Sequence, residues 1–321
     1  MPGITFEELA RQLQNHFDQG SYAEGLDQVA QLMDDYPDHQ AALKYFQMGL
    51  AARLGRTELV NQVLENALKT GIWYSGEFLQ HSPWLENMHG EPEFERLVEI
   101  SVQMAQLDPK SHLPLIAIHA QGQCGAEDDP CPLLLFLHGN DDTAQRNVPH
   151  WRSAAEQGWV VVFPQSKQSF WTEGYAWYDH ESAAEQIQEH LTKLVRGYNL
   201  DPERIVLAGF SMGADVALWL ALSGRMKARG FILLGPGGPL VDNPREWDAL
   251  LGIPANPNLR GAIIMGEADR SIVQENVETL AQRLNDHGIA CNLETHPDLA
   301  HEYPVDFADS LQKSLDFIFE V

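Results

Sequence analysis

The chain of 321 residues predicts an α/β fold, a mainly parallel sheet covered by helices, with an all-α domain of helical-repeat type before it. Three observations carry that expectation. Apolar residues recur at helical spacing up to about residue 110. After Pro114 the rhythm changes to strand-sized apolar runs that alternate with helical stretches, as in parallel sheets buried on both faces. Between the two regimes stands Asp108-Pro109, a stop signal, because the residue before a proline is driven out of the helical region. The expected boundaries are 1–112 for the helical domain and 113–321 for the α/β domain.

In the first part, Phe6, Leu9, Leu13 and Phe17 form one apolar stripe and predict the first helix. Gly20-Ser21-Tyr22 opens a second, ending near Tyr36-Pro37. A third runs from about Gln40 to Leu54 and is broken by Gly55, which opens a fourth that stops near Thr70-Gly71. Gly20 and Gly55 lie 35 residues apart, close to the tetratricopeptide period of about 34 residues. Tyr22, Gly25 and Leu26 sit where that repeat has aromatic, small and large residues, so the segment resembles it loosely. Such a domain implies a protein partner as one use of its surface. A last helix spans about Pro92 to Leu107.

Seven runs then read as buried strands: Leu115–Ala120, Leu133–Leu137, Trp159–Phe163, Arg204–Ala208, Gly230–Leu234, Ala262–Met265 and Ala290–Thr295. Helical stretches at Glu181–Gly197, Met212–Ser223, Val273–His287 and Val305–Phe319 separate most of the later ones. In sheets of this kind, chemistry collects at the carboxyl ends of the strands.

Composition narrows the partners. A net charge of −25 repels phosphate backbones and anionic lipid surfaces, so nucleic acid is not expected. No apolar stretch is long enough to cross a membrane, and stable insertion is not expected. The start, Met1 to Glu8, lacks the basic flank and apolar run of a secretory signal, which points to the cytoplasm. Three cysteines, Cys124, Cys131 and Cys291, cannot all pair. A bridge between Cys124 and Cys131 is geometrically conceivable, but reduced thiols are the expected state. No Cys/His cluster has zinc-ligand spacing.

Gly209-Phe210-Ser211-Met212-Gly213 follows an apolar strand and precedes a helical run. That is the setting of a nucleophile elbow, where small flanking residues let strand and helix approach and the turn lifts the hydroxyl. An ordinary Gly-rich turn is the plain alternative. A serine hydroxyl needs a base, and the base needs a carboxylate to fix its tautomer. Asp269 lies just past the strand Arg260–Met265, with Glu267 as its rival. His301 lies in a loop before the final helix, with His296 ranked second. The N–H groups of Asn140, at the end of the Leu133–Leu137 strand, and of Met212 are the natural pair to hold a developing oxyanion. His138 reads as structural, and Asp215 as an acid favoured by the helix start. Phe170, Trp171, Tyr175, Trp177 and Tyr178 either wall an acyl pocket or serve packing.

These motifs together, His138-Gly139-Asn140, the Ser211 elbow, Gly266-x-x-Asp269 and Ala300-His301, resemble the phospholipase/carboxylesterase family of α/β-hydrolases over about residues 115–321. Tyr175-Ala176-Trp177-Tyr178-Asp179 is similar to that family's Trp-Phe-Asp segment. The resemblance implies a Ser211–Asp269–His301 triad that cleaves a carboxylic ester or thioester of a small or lipid-like acyl group, without metal or cofactor. The sequence departs from the family pattern at Gly213-Ala214 and Ile272-Val273, and the helical domain lies outside that pattern. A serine peptidase of the same fold, or an inert scaffold that binds a partner through its helices, are the competing readings.

Overall fold

The computed structural model describes residues 4–108, 115–119, 124–126, 128–194, 197–252 and 258–320. The expected boundary at 112/113 and the strand end at Ala120 lie outside them. The chain divides into two compact units, Met1–His112 with Ser169–Gly174, and Leu113–Gln168 with Tyr175–Val321.

The first unit is helical, with α1 (Phe6–Asp18), α2 (Tyr22–Leu32), α3 (Gln40–Arg53), α4 (Thr57–Lys69), α5 (Gly76–His81) and α6 (Pro92–Leu107). Caps explain several starts: Thr5 Oγ1 accepts the Glu8 N–H, and Ser75 Oγ accepts that of Phe78. Glu91 caps α6 in the same way, with Pro92 at the first helical position. The second helix ends at Leu32, earlier than expected, and the chain continues in 3-10 turns at Met33–Asp35 and Pro37–His39. Asp34 and Asp35 would place negative charge at a helix C-terminus, where the dipole disfavours it. The six-residue α5 was missed because it is shorter than two turns and carries no period. Leu9, Leu13, Val29, Leu43, Met48, Leu64 and Phe94 are wholly buried in one apolar core.

Residues 169–174 are stitched into that core by backbone hydrogen bonds, from Ser75 N–H to Phe170 O at 2.8 Å and from Thr172 N–H to Trp73 O at 2.9 Å. Trp171 is buried there among the rings of Tyr45, Tyr74 and Phe78. Its ring thus packs in the helical unit, one of the two uses that the sequence left open for it. A large aromatic beside a preformed apolar core gains more by burial than by exposure.

The second unit holds a seven-stranded sheet. Its strands are β1 (Leu115–Ile118), β2 (Cys131–Leu137), β3 (Val160–Pro164), β6 (Leu200–Phe210), β7 (Gly230–Leu234), β8 (Arg260–Gly266) and β9 (Ala290–His296), in the order β1-β3-β2-β6-β7-β8-β9. The short strands β4 (Ser169–Trp171) and β5 (Gly174–Tyr175) form a separate ribbon. Within the seven-stranded sheet β1 runs antiparallel to β3, and the other pairings are parallel. Side chains alternate between faces as a strand requires. Leu135, Leu137, Leu207, Phe231, Leu233 and Ile263 join one core cluster with α9 (His180–Leu194), α10 (Met212–Leu222) and α12 (Gln274–Asp286). Their neighbours Leu134, Phe136, Val206, Ile232 and Ile264 join another with α8 (Arg152–Glu156) and α13 (Phe307–Phe319). Two further short helices, α7 (Ala144–Asn147) and α11 (Pro244–Leu251), escaped the sequence reading along with α8. Cys124 and Cys131 are joined as a disulfide, where reduced thiols were expected. Their loop folds back tightly enough to bring the sulfurs together. Among the described residues, no helix is long and apolar enough to cross a membrane.

Candidate active site

Ser211 occupies the bend between β6 and α10 with φ 53° and ψ −120°. A positive φ costs a non-glycine residue on the order of 1–3 kcal/mol, and such strain persists only where the surroundings over-determine it. Here they do. The Ser211 N–H is bonded to Leu234 O of β7 at 2.9 Å, and its carbonyl accepts the N–H groups of Ala214 and Asp215. Two glycines make the bend possible by close approach. A side chain on Gly213 would run into the carbonyl oxygens of Leu137 and His138, and one on Gly209 into the backbone of Gly213. The elbow is therefore pressed directly onto the end of β2.

That contact brings the Asn140 and Met212 regions to one end of the sheet. Asn140 follows β2 and is exposed, while Asp141 after it has φ 53°. Met212 begins α10, so its N–H has no acceptor within the helix and is free to bind an anion. His138 is wholly buried. Its Nδ1–H donates to Gly139 O at 2.8 Å, and Nε2 accepts the Ser166 N–H at 3.2 Å. Burial holds its pKa below the usual imidazole range. A neutral ring committed to loop backbone on both sides is a brace for the turn.

Asp269 is buried just beyond β8, and its Oδ2 accepts from His301 Nδ1 at 2.6 Å. Its other oxygen accepts the Ser271 N–H at 2.8 Å. This fixes the imidazole with its proton on Nδ1 and leaves Nε2 as the basic nitrogen. Gly235 lies between the parts: its N–H bonds Ile264 O, and a Cβ there would meet His301 Nδ1 at 3.2 Å and Asp269 Oδ2 at 3.5 Å. It follows Leu234, whose carbonyl holds the Ser211 amide. Phe210, next to the serine, sets its ring 4.7 Å from that of His301. The rivals stand apart: Glu267 is exposed, and His296 faces Glu294 Oε1 at 3.2 Å.

Several neighbours were not singled out by the sequence. Tyr303 stacks on Phe210 at 5.5 Å, donates to Asn147 Oδ1 at 2.7 Å and accepts from Trp151 Nε1 at 3.0 Å. It ties the loop of His301 to α7, and its only sequence signal was an aromatic residue two positions after the histidine. Asp215 proves to be more than an acid at a helix start. Wholly buried, it accepts from His180 Nε2 at 2.7 Å and from the Val241 N–H at 2.6 Å. It thereby anchors the chain after β7, whose Gly237 N–H reaches Ser211 O at 3.5 Å. Among the aromatics read as pocket wall or packing, Tyr175 and Trp177 are buried, with the Trp177 backbone N–H on Met212 Sδ at 3.4 Å, and Tyr178 is 37% exposed. Trp177 backs the start of α10 from within the core.

The arrangement suits nucleophilic chemistry at a carbonyl carbon, and comparison with known proteins agrees in kind. Residues 124–319 match the phospholipase/carboxylesterase model, and residues 5–107 match a model described as the N-terminal domain of A/B hydrolase-like proteins. A crystal structure of an uncharacterized protein from Bacillus cereus is 25% identical, covers 98% of this chain and 99% of its own, and superposes with a TM-score of 0.55. Esterase PE8, 19% identical over 62% of this chain and 95% of its own, shares the fold with a TM-score of 0.50. A bifunctional acetylxylan esterase/xylanase of Neocallimastix patriciarum is 33% identical over 87 residues, 26% of this chain and only 12% of that enzyme. By its sheet, its elbow and the match over 124–319, the chain belongs to the phospholipase/carboxylesterase family.

Proposed function

We propose that the protein is a serine hydrolase that cleaves carboxylic esters or thioesters through an acyl-enzyme on Ser211. His301 Nε2 takes the Ser211 Oγ proton as the oxygen attacks the acyl carbon. Asp269 keeps the other proton on Nδ1 and stabilises the imidazolium that forms. The N–H groups of Asn140 and Met212 hold the oxyanion, worth roughly 10²–10³ in rate for each donor. The imidazolium then returns its proton to the leaving alcohol or thiol, and a water activated by the same ring releases the acid. The observation that carries this reading is the 2.6 Å bond between His301 Nδ1 and Asp269, on a ring 4.7 Å from that of Phe210, the chain neighbour of Ser211.

A fluorophosphonate probe tests it. Labelling is expected on the wild-type chain and absent from Ser211→Ala, with turnover of nitrophenyl esters falling by about 10⁴–10⁶-fold. Equal labelling of both proteins would remove Ser211 as the nucleophile. Acetyl esters belong among the probes, since the bifunctional relative is named for acetylxylan esterase activity. Turnover of aminoacyl amides in preference to esters would convert the reading to a peptidase.

A further inference from the structure

At the opposite end of β2 from the elbow, the fold assembles a group that sequence spacing did not reveal. His119, Cys124 and Cys131 each offer one ligand atom, and these atoms all lie within 4.8 Å of one another. His119 Nε2 is 3.8 Å from Cys124 Sγ and 3.9 Å from Cys131 Sγ. Its Nδ1 faces the Trp159 carbonyl at 3.4 Å. That contact puts the ring proton on Nδ1 and leaves the Nε2 lone pair aimed at the sulfurs, the orientation that metal-binding histidines take from a carbonyl behind them.

We propose that this is a redox-gated site for a thiophilic divalent cation such as Zn²⁺. The two thiolates and His119 Nε2 bind the ion in the reduced protein, and the Cys124–Cys131 disulfide closes the site. Tetrahedral zinc asks for about 3.6 Å between a thiolate and an imidazole nitrogen and about 3.8 Å between two thiolates. The first is within a few tenths of an ångström of what the fold provides. The second is close to the van der Waals separation two sulfurs adopt once their bond is broken.

The ligands stay together after reduction because the loop is held by other bonds. Gly125 N–H bonds Asp129 O at 2.7 Å, Asn199 Nδ2 bonds Ala126 O at 2.6 Å, and Cys131 N–H bonds Asn199 O at 2.8 Å. Cys131 is the first residue of β2 and is buried, whereas Cys124 and His119 are half-buried and leave the ion a way in. A chain charge of −25 favours a cation. Cys291, buried with its pKa pushed up to about 12, has none of these features.

The chemistry balances with an external thiol reductant. A dithiol gives two electrons and two protons to the disulfide and is itself oxidised to a disulfide, leaving two protein thiols. Binding the cation then releases both thiol protons to solvent as two metal–sulfur bonds form. Water fills the fourth position.

The test uses the full chain and Co²⁺, whose thiolate complexes absorb in the near ultraviolet. After reduction and removal of the reductant, titration should develop that absorption and saturate at a single ion per chain, and Zn²⁺ should abolish it. The oxidised protein should show none. Cys124→Ser, at the less buried of the two sulfurs, should lose the band, and His119→Gln should weaken binding. No absorption in the reduced wild type, or the same band in Cys124→Ser, overturns the site. Unchanged affinity in His119→Gln overturns the three-ligand assignment. None of these readouts uses esterase activity, so the outcome is independent of the hydrolase reading.

Discussion

His138 sits at the end of β2 with both ring nitrogens engaged by loop groups and no exposure to water. Because burial lowers its pKa, the folded protein resists a proton that the unfolded chain accepts below about pH 6.5. Its contribution to stability is full above that pH and is lost as the pH falls through it. Denaturant midpoints should therefore decline on acidification, and His138→Gln should flatten part of the slope, by at most about 1.4 kcal/mol per pH unit. His150 and His190 are also held low by burial, so the readout is the difference between variant and wild type. Identical slopes would mean that His138 takes up no proton on unfolding.

At the scale of elements, the site is a junction of β2, β6, β7, β8 and the start of α10. The junction depends on backbone contact at Gly213, where a methyl group would collide with the carbonyls of Leu137 and His138. Gly213→Ala should destabilise the protein by about 1–3 kcal/mol, as overpacking does. It should also slow fluorophosphonate labelling, because the helix start that carries the Met212 N–H must shift. Thermal melts with labelling rates check both, and a protein that melts and labels like wild type would show that α10 is not pressed on β2. Asp215 acts at the same scale, since one carboxylate joins the starts of α9 and α10 to the chain after β7.

For the molecule as a whole, the consequential feature is residues 169–174, which belong to the helical unit. A chain beginning after residue 112 would keep Phe170 and Trp171 but lose Tyr45, Tyr74 and Phe78, against which they pack. Such a truncation should aggregate or bind a hydrophobic dye. Replacing Phe170 and Trp171 by polar residues should restore part of its solubility. A truncated chain that is monodisperse without those replacements would show that the segment does not need the helical core. This interruption is what a linear division at 112/113 could not contain.

The division of labour follows from range. Period-2 and period-3.6 patterns are local, so the strands, the long helices and the elbow at Gly209–Gly213 were legible in the residues themselves. Helices of four to eight residues, such as α7, α8 and α11, were not, because they have too few turns to show a period. The positions of Ser211, Asp269 and His301 were readable as ends of strands. That His301 meets Asp269 and not Glu267 depends on the register of β8 against β9, which pairs residues some thirty positions apart. The burial of Trp171 in the core of the helical unit likewise arises from long-range packing, which no local spacing encodes, whereas His119, Cys124 and Cys131 lie within twelve positions and meet through the path of one loop.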